Sequence, residues 1–154
     1  MAAITRQITF VSTLPAEHYH QLEALLFFNG RQHRVRKGIE TAIDRFGPPE
    51  IVSEGRALRV QVSGETHAQC LFAVEREGAH ARPVGVILYV RDSFERITVL
   101  HLVVAEAYAV GGPRAGYNLV LRLVQAVKRV ARRTTGIRHV EVLYSRDRPR
   151  AAFA

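Results

Sequence analysis

The sequence predicts a single α/β (α+β) domain in which two N-terminal helices and one long crossover helix pack on a mixed, centrally antiparallel sheet. Three observations support this prediction. Two early segments have apolar residues at helical spacing, residues 58–105 show strand-like alternation and apolar runs, and a glycine-containing loop then leads into an amphipathic helix. At 154 residues the chain can bury a core of its own. We therefore expect one domain over 1–154, with a basic tail over 145–154.

The first predicted elements are a short strand and a helix. Gln7–Ser12 partly alternates, with Ile8 and Phe10 on one side, and this pattern indicates a strand. Thr13 and Pro15 then provide a helix start. An apolar stripe follows at helical spacing, and Asn29-Gly30 ends the helix. The stripe consists of Leu22, Leu25, Leu26 and Phe27 or Phe28.

A second helix is expected next, because helical spacing continues as far as the stop at Gly47-Pro48-Pro49. Its apolar face contains Val35, Ile39, Ala42, Ile43 and Phe46. Cations cluster where its opposite face begins: Arg31, His33, Arg34, Arg36 and Lys37. Two interpretations of this cluster remain open, a phosphate or nucleic-acid contact and a solvated helix face.

Beyond the second helix the pattern becomes that of strands. Leu58–Val62 alternates, Gln69–Glu75 follows after a turn, and Val84–Val90 is nearly all apolar, as in a strand covered on both faces. We expect Arg76–Arg82 to form a loop between the strands Gln69–Glu75 and Val84–Val90. The longest apolar segment is Ile97–Ala105, which we place at the sheet centre. Short connections favour an antiparallel meander of these strands.

After a loop with three glycines and a proline, the chain predicts a long basic helix and a closing strand. Gly136 ends the helix and Ile137–Tyr144 forms the strand. A strand, helix, strand unit of this length requires a parallel, right-handed crossover. The residues expected to face the sheet are Val120, Leu123 or Val124, Val127 and Val130 or Ala131. Those expected to face outward are Arg122, Lys128, Arg129, Arg132 and Arg133.

Composition limits the cellular compartments and the classes of partner that we expect. The single cysteine, Cys70, favours a reducing compartment and is expected to be a buried, inert thiol. The first residues lack an apolar signal core and no apolar run is long enough to span a bilayer, so we expect a cytoplasmic protein with no membrane partner. A formal net charge of +8 favours anionic partners such as nucleotides, coenzyme A, nucleic acid or an acidic protein face.

The order of predicted elements, from the first strand and two helices to the glycine loop, helix and closing strand, resembles the GNAT superfamily of acyl-CoA-dependent N-acyltransferases. The resemblance covers roughly residues 5–145 and rests on architecture more than on signature residues. It implies acetyl-CoA or another acyl-CoA as co-substrate and a small-molecule or protein amine as acceptor. It also implies that the backbone of Val103, Val104 and Ala105 pairs with the pantetheine arm.

The resemblance further implies that amides of the glycine loop hold the coenzyme's pyrophosphate at the helix N-terminus. The best match to the family's loop is Pro113–Asn118, with Gly116 at the matching glycine. Pro113 and Asn118 depart from the family pattern. Arg114, the residue after Pro113, supplies a cation. The loop residues assigned to the coenzyme are Gly111, Gly112, Arg114, Ala115, Gly116, Tyr117 and Asn118.

N-acyl transfer needs a base that deprotonates the amine and an acid that protonates the thiolate leaving group. By resemblance, Glu106 just past the long apolar strand is the base, acting directly or through water. Tyr144 is the candidate acid and Tyr108 is a second tyrosine candidate. The alternatives are an exposed strand-end carboxylate for Glu106 and packing at the edge of the core for either tyrosine.

His101 is a further candidate base, because it interrupts the apolar strand. Period-two counting places it on the face of Ile97, Val99 and Val103. A hydrogen-bonded core histidine is the alternative. The histidines and the single cysteine form no metal-ligand spacing, so we expect no metal cofactor.

Three functional hypotheses follow from the sequence. The first is a divergent, C-terminally shortened GNAT-like N-acyltransferase. The second is a catalytically inactive binding or regulatory module with the same fold, which completes its sheet as a homodimer. The third is a basic nucleic-acid-binding protein using Arg31–Lys37 and Arg122–Arg133. It ranks last because the chain lacks aromatic interleaving and a recognisable reader motif.

Overall fold

The computed structural model describes residues 6–27, 47–62, 68–142 and 150–153. The second predicted helix, the Arg31–Lys37 cluster and Tyr144 lie outside the described residues. The described strands are β1 (Arg6–Val11), β2 (Leu14–Pro15), β3 (Pro49–Glu54), β4 (Ala57–Val62), β5 (Gln69–Glu77), β6 (His80–Ser93), β7 (Arg96–Val104), β8 (His139–Val142) and β9 (Arg150–Phe153). The α-helices are α1 (Tyr19–Phe27) and α2 (Leu119–Arg132).

The main sheet has six strands in the order β1-β5-β6-β7-β8-β9. All neighbouring strands pair antiparallel except β7 and β8, which are parallel. The mixed α+β class with a mostly antiparallel sheet is therefore confirmed. The strand β7, predicted from its apolar length, lies in the sheet interior, and five of its nine residues from Ile97 to His101 are buried without interruption. Apolar length thus located an internal strand because such a strand is covered on both faces.

The expectation that Leu58–Val62 joins the meander is wrong. This strand, β4, pairs with β2 and β3 in a separate three-stranded sheet, and β3 was not predicted. The reason is local: Gly55, with φ of 63°, and Arg56 form a two-residue turn that folds β4 back on β3. The alternation itself is confirmed, since Leu58, Val60 and Val62 are buried.

The expected loop over Arg76–Arg82 is also wrong. Strand β5 runs on to Glu77 and β6 begins at His80, so only Gly78 and Ala79 connect them. Gly78 adopts φ of 60°, a left-handed conformation that suits a tight hairpin turn. The polar composition of this segment reflects the exposed end of a hairpin.

Helix α1 begins later than Thr13 and Pro15 indicated, because Leu14–Pro15 pairs with β4 and a 3-10 turn over Ala16–His18 precedes the helix. Its predicted stripe is confirmed at Leu22, Leu25 and Leu26, which are buried. The Phe27 side chain, by contrast, is exposed. The helix thus covers the core through one narrow apolar face.

Helix α2 covers the main sheet with the predicted stripe, which is confirmed at Leu123, Val127 and Ala131 and is wrong at Val120. Val120 is exposed, because Leu119 takes the inward position at the start of the helix. The buried residues are Leu119, Leu123, Ala126, Val127 and Ala131. The helix packs closely on β6, since a Cβ added at Gly85 would lie 3.1 Å from Leu123 Cδ1.

The end of the described chain differs from the expected tail. Residues Arg150–Phe153 form β9, which pairs antiparallel with β8 at the edge of the main sheet. The parallel pairing of β7 with β8 is confirmed and runs from Arg96/His139 to Val99/Val142. Neither described helix is long and apolar enough to cross a membrane.

The expected burial of Cys70 is confirmed, and the thiol is free. Its Sγ accepts a hydrogen bond from the Val60 N–H at 3.4 Å and donates one to the Ser12 carbonyl at 3.7 Å. Burial raises the pKa of this thiol, which disfavours the reactive thiolate.

Candidate functional site

The candidate site lies at the sheet edge where β7 ends. Because β5, β6 and β7 are successively antiparallel, this edge also contains the end of β5 and the start of β6. The Ala105 N–H donates to the Val84 carbonyl at 2.8 Å, so the strand pairing continues up to the point where the loop leaves the sheet. The loop over 105–118 and the β5–β6 turn therefore share one edge.

The loop between β7 and α2 is compact. It contains two 3-10 turns, Glu106–Tyr108 and Ala115–Tyr117. Gly112 packs against the backbone, since a Cβ added there would lie 2.7 Å from the Ala107 carbonyl oxygen. Asn118, with φ of 52°, is in the left-handed region immediately before α2. This sharp reversal fits asparagine, which tolerates that region better than most residues.

Most of the loop amides are already bonded within the loop. Arg114 N–H donates to the Ala107 carbonyl at 2.7 Å. Four further amides, those of Gly112, Ala115, Tyr117 and Asn118, donate to loop carbonyls at 2.9 to 3.2 Å. In this conformation these five amides do not point as a group at a ligand. The phosphate cradle that the resemblance implies is therefore smaller than the sequence suggested.

The start of α2 offers a second set of backbone donors. Within the described residues, the amides of Gly116 and Leu119–Leu121 have no backbone acceptor, whereas the Arg122 amide donates to the Asn118 carbonyl at 3.0 Å. Gly116 is exposed, and a Cβ added there would meet nothing within 4 Å. The backbone is therefore open to a ligand at Gly116 and at the first turn of the helix.

The strand residues assigned to the pantetheine arm lie in regular pairing with β6. Val103 is opposite Val86 and Val104 is opposite Gly85. The β-bulge of β7 lies earlier in the strand than these two residues, at Leu100. The described part of β8 pairs with β7 only up to Val99.

The prediction that His101 shares a face with Ile97, Val99 and Val103 is confirmed for Val103 and wrong for Ile97 and Val99. His101 is opposite Leu88 and Val99 is opposite Tyr89, although Leu88 and Tyr89 are consecutive residues that point to opposite faces of β6. The extra residue, Leu100, forms a bulge that shifts the alternation by one. His101 and Val99 thus lie on opposite faces of the sheet.

His101 is a buried side chain on the face away from α2. Gly85 approaches Leu123 of α2, and Leu88, three residues further along β6, points the other way together with His101. His101 is 6% exposed, and burial lowers its pKa to about 4. The imidazole is therefore neutral near pH 7.

The three predicted catalytic residues do not form a constellation among the described residues. Glu106 is exposed at the start of the first 3-10 turn, which matches the alternative of a strand-end carboxylate. His101 is buried inside the sheet. Tyr144 lies outside the described residues. Of the two predicted catalytic residues that the structure describes, Glu106 is accessible and His101 is not.

The structure brings together a polar cluster that sequence reasoning missed. Its members, here called the Glu75 cluster, are Glu75, Arg82, Tyr108 and Arg114. Glu75 Oε2 accepts hydrogen bonds from the Tyr108 hydroxyl and, at 2.6 Å, from Arg114 Nη1. Glu75 Oε1 accepts one from Arg82 Nε at 3.2 Å. The cluster thus ties the glycine loop to the β5–β6 hairpin.

Glu75 is 4% exposed, so its charge requires these partners. Burial acts to raise the pKa of the Glu75 carboxyl. The Tyr108 hydrogen bond and the charges of Arg82 and Arg114 together outweigh it, so the pKa lies below its ordinary value. Burial and the bond to Glu75 raise the pKa of Tyr108 to about 12. At neutral pH the cluster contains a carboxylate, a protonated tyrosine and two guanidinium groups.

Aromatic contacts extend the cluster towards α2. The rings of Tyr108 and Tyr117 meet edge to face, with centroids 5.8 Å apart. The Arg114 guanidinium lies 5.6 Å from the Tyr108 ring centroid, and that of Arg122 lies 5.1 Å from the Tyr117 ring centroid. The loop is therefore held by packing as well as by charge.

A cavity of about 720 Å³ opens beside the cluster, and we call it the hairpin cavity. The β5–β6 hairpin forms most of its wall, and α1 and the glycine loop complete it. Its polar lining residues are Gln21, Glu75, Glu77, His80, Arg82 and Arg114. This volume is within the range of small-molecule sites.

One sequence signal could have identified Glu75. Period-two counting along the predicted strand Gln69–Glu75 places Glu75 on the same face as the apolar residues Leu71 and Ala73. A carboxylate at such a position needs partners. The partners themselves could not be read, because Tyr108 and Arg114 lie 33 and 39 residues away in sequence.

Comparison with family models, with curated proteins and with solved structures found no match for this chain. The described residues contain no group of three or more His, Cys, Asp or Glu side chains that could hold a metal ion.

Proposed function

We propose that the protein is a divergent GNAT-like N-acyltransferase that moves an acetyl or another acyl group from coenzyme A to an amine. The observation that carries this proposal is the unit formed by β7, the glycine loop, α2 and the parallel strand β8. Its loop leaves the backbone open at Gly116, and at the start of α2 it presents amides that have no backbone acceptor among the described residues. Such a helix start favours a phosphate group.

The geometry supports a specific arrangement of the coenzyme. Its pyrophosphate would accept hydrogen bonds from the amides of Gly116 and Leu119–Leu121. The pantetheine arm would extend beside the second half of β7, beyond the pairing of Val99 with Val142. Arg114, which the sequence assigned to the pyrophosphate, has a different role in this arrangement. Its guanidinium is bonded to Glu75 and positions the loop.

In the proposed reaction the amine nitrogen attacks the thioester carbonyl carbon. The C–S bond breaks, an amide forms, and the thiolate of coenzyme A takes up a proton. Glu106 is exposed at the strand end and can receive the amine proton directly or through water. His101 is buried on the other side of the sheet from α2, so we assign it a structural role. Tyr108 stays protonated, donates a hydrogen bond to Glu75 and positions the loop.

Calorimetric titration with acetyl-CoA tests the proposal. The Gly116→Phe variant should retain its fold, because the position is open and its φ is not left-handed, yet the ring would cover the open backbone. We expect wild-type binding and at least about tenfold weaker binding by this variant. Gln125→Phe adds the same ring at an exposed position further along α2 and should bind normally. No binding by the wild type at millimolar acetyl-CoA would refute the proposal.

A non-catalytic binding module on the same fold is a second candidate, favoured by the internal bonding of five loop amides and of Arg114. The two candidates differ in turnover. Release of free coenzyme A thiol in the presence of a panel of primary amines, lost in Glu106→Gln, would support the transferase. Acetyl-CoA binding with no thiol release from any amine, together with a stable dimer in light scattering, would support the module.

A further inference from the structure

The hairpin cavity is not used in the proposed acyl transfer, yet two arginines line it. Each guanidinium carries five N–H donors. Arg82 donates from Nε and Arg114 from Nη1, both to Glu75. Arg114 also forms a hydrogen bond with the Tyr108 hydroxyl, and among the described residues these bonds use only part of the donors of the two guanidinium groups. Both side chains therefore retain donors for a further acceptor.

The charges of the cavity wall favour an anion. Arg82 and Arg114 share the single carboxylate of Glu75, which leaves one unit of positive charge. The second acidic residue of the wall, Glu77, forms its own ion pair with Arg6 at 3.1 Å. A positive surplus in a concave, partly desolvated surface attracts anions more strongly than the same charge on an open surface.

The two guanidinium groups are also held in place before any ligand arrives. Glu75 is buried in β5 and fixes both of them, and the Tyr108 ring supports Arg114. The Arg114 side chain is 20% exposed and that of Arg82 is 50% exposed, so both are anchored at one side and accessible at the other. Fixed guanidinium groups lose little entropy on binding, and their planar geometry matches phosphate and carboxylate oxygens.

We propose that the hairpin cavity is a binding site for a small ligand bearing a phosphate or carboxylate group, anchored by Arg82 and Arg114. The volume of about 720 Å³ accommodates a metabolite-sized molecule. A free small anion and the phosphate groups of an acyl-CoA share this chemistry, and the experiment below separates them. The site goes beyond the proposed transfer, since Gly116 and the start of α2 do not line the cavity.

An NMR titration with inorganic phosphate at constant ionic strength tests the site. Amide signals of Gly78, Ala79 and His80 should shift and saturate in the wild type. Arg82→Gln should weaken binding by about 10- to 100-fold, since it removes a charged hydrogen-bond donor. Arg59→Gln is the matched control, because Arg59 also pairs with a glutamate, Glu54 at 2.8 Å, but lies in the small sheet. Its titration should match the wild type.

A second variant distinguishes the loss of the binding site from a loss of the fold. Arg82→Lys retains the charge but not the fork of donors, and should give an affinity between those of the wild type and Arg82→Gln. Equal phosphate affinity in the Arg82 and Arg59 variants, or no saturable shift near the hairpin in the wild type, would overturn the proposal.

Addition of acetyl-CoA then identifies the source of the anion. Displacement of phosphate by acetyl-CoA assigns the site to the coenzyme's own phosphates, whereas simultaneous binding assigns it to a separate small anion. The phosphate titration does not require acetyl-CoA binding. A failure of the proposed transferase function is therefore distinguishable from a failure of the anion site.

Discussion

At the residue scale, Glu75 shows how a buried charge organises the loop above the sheet. Removing a carboxylate from water is costly unless donors replace the lost solvent. Glu75 receives three, from Tyr108, Arg82 and Arg114, and two of these residues belong to the glycine loop. The loop conformation and the charge of Glu75 therefore stabilise each other.

Tyr108→Phe should reveal this dependence, because it removes the donor without changing the ring. With one partner gone from a buried carboxylate, we expect a loss of about 1–3 kcal/mol in the free energy of unfolding at pH 7. The pKa of Glu75 should rise, since the Tyr108 hydrogen bond lowers it. Denaturant unfolding and NMR titration of the carboxyl group measure the two effects.

Tyr117→Phe provides the control for this prediction. Among the described residues, the Tyr117 hydroxyl donates to the Arg6 carbonyl, at 3.3 Å and in an exposed setting. Its loss should change the free energy of unfolding by about 0.5 kcal/mol or less. Equal destabilisation by the two substitutions would show that the buried carboxylate does not depend on Tyr108.

Two residues mark the limit of prediction at this scale. The strand containing His101 was predictable from its apolar length, but the face of His101 was not, because the bulge at Leu100 shifts the alternation. Glu75 was predictable as a strand residue. Its partners were not, because they come from a loop that folds over the sheet edge. Sequence periodicity records local geometry, whereas bulges and long-range pairs depend on the tertiary structure.

At the element scale, the strand, glycine loop and helix were predictable because each has a local signal. The apolar run gives β7, the glycines give the loop, and the amphipathic spacing gives α2. The separate sheet of β2, β3 and β4 was not predictable, because alternation identifies a strand but not its partner. The internal hydrogen bonds of the loop were likewise hidden, since they depend on its two 3-10 turns.

The two glycines of the loop should respond differently to the same substitution. Gly112→Ala would place a methyl group against the carbonyl oxygens of Glu106 and Ala107, and backbone atoms cannot move aside cheaply. We expect a loss of about 1–3 kcal/mol in the free energy of unfolding. Gly116→Ala meets no atom within 4 Å and should change it by about 0.5 kcal/mol or less.

Denaturant unfolding of both variants measures this difference. Amide exchange should also accelerate in the loop of Gly112→Ala, because the Gly112 N–H donates to the Ala109 carbonyl at 2.9 Å and the loop must shift. If the two alanine variants proved equally stable, the close packing of Gly112 would be contradicted.

At the scale of the whole molecule, two buried groups connect stability to pH in separate windows. Glu75 has a lowered pKa, so its contribution is complete above its unfolded pKa near 4.5 and is lost as pH falls through its folded pKa. His101 also has a lowered pKa, about 4 against 6.5. Between these two values the unfolded chain binds a proton that the folded chain does not, so stability rises with pH across this window.

His101 should therefore dominate the pH dependence of stability between pH 4 and 6.5. A difference of about 2.5 pKa units corresponds to about 3 kcal/mol, lost as the pH falls from 7 to 4. His101→Gln cannot take up this proton and should flatten the profile, whatever its stability at pH 7. His20→Gln is the control, because the His20 side chain is 92% exposed and its profile should follow that of the wild type. Denaturant unfolding at half-unit pH steps gives all three profiles. An unchanged slope in His101→Gln would mean that the buried imidazole is not the group that couples this fold to pH.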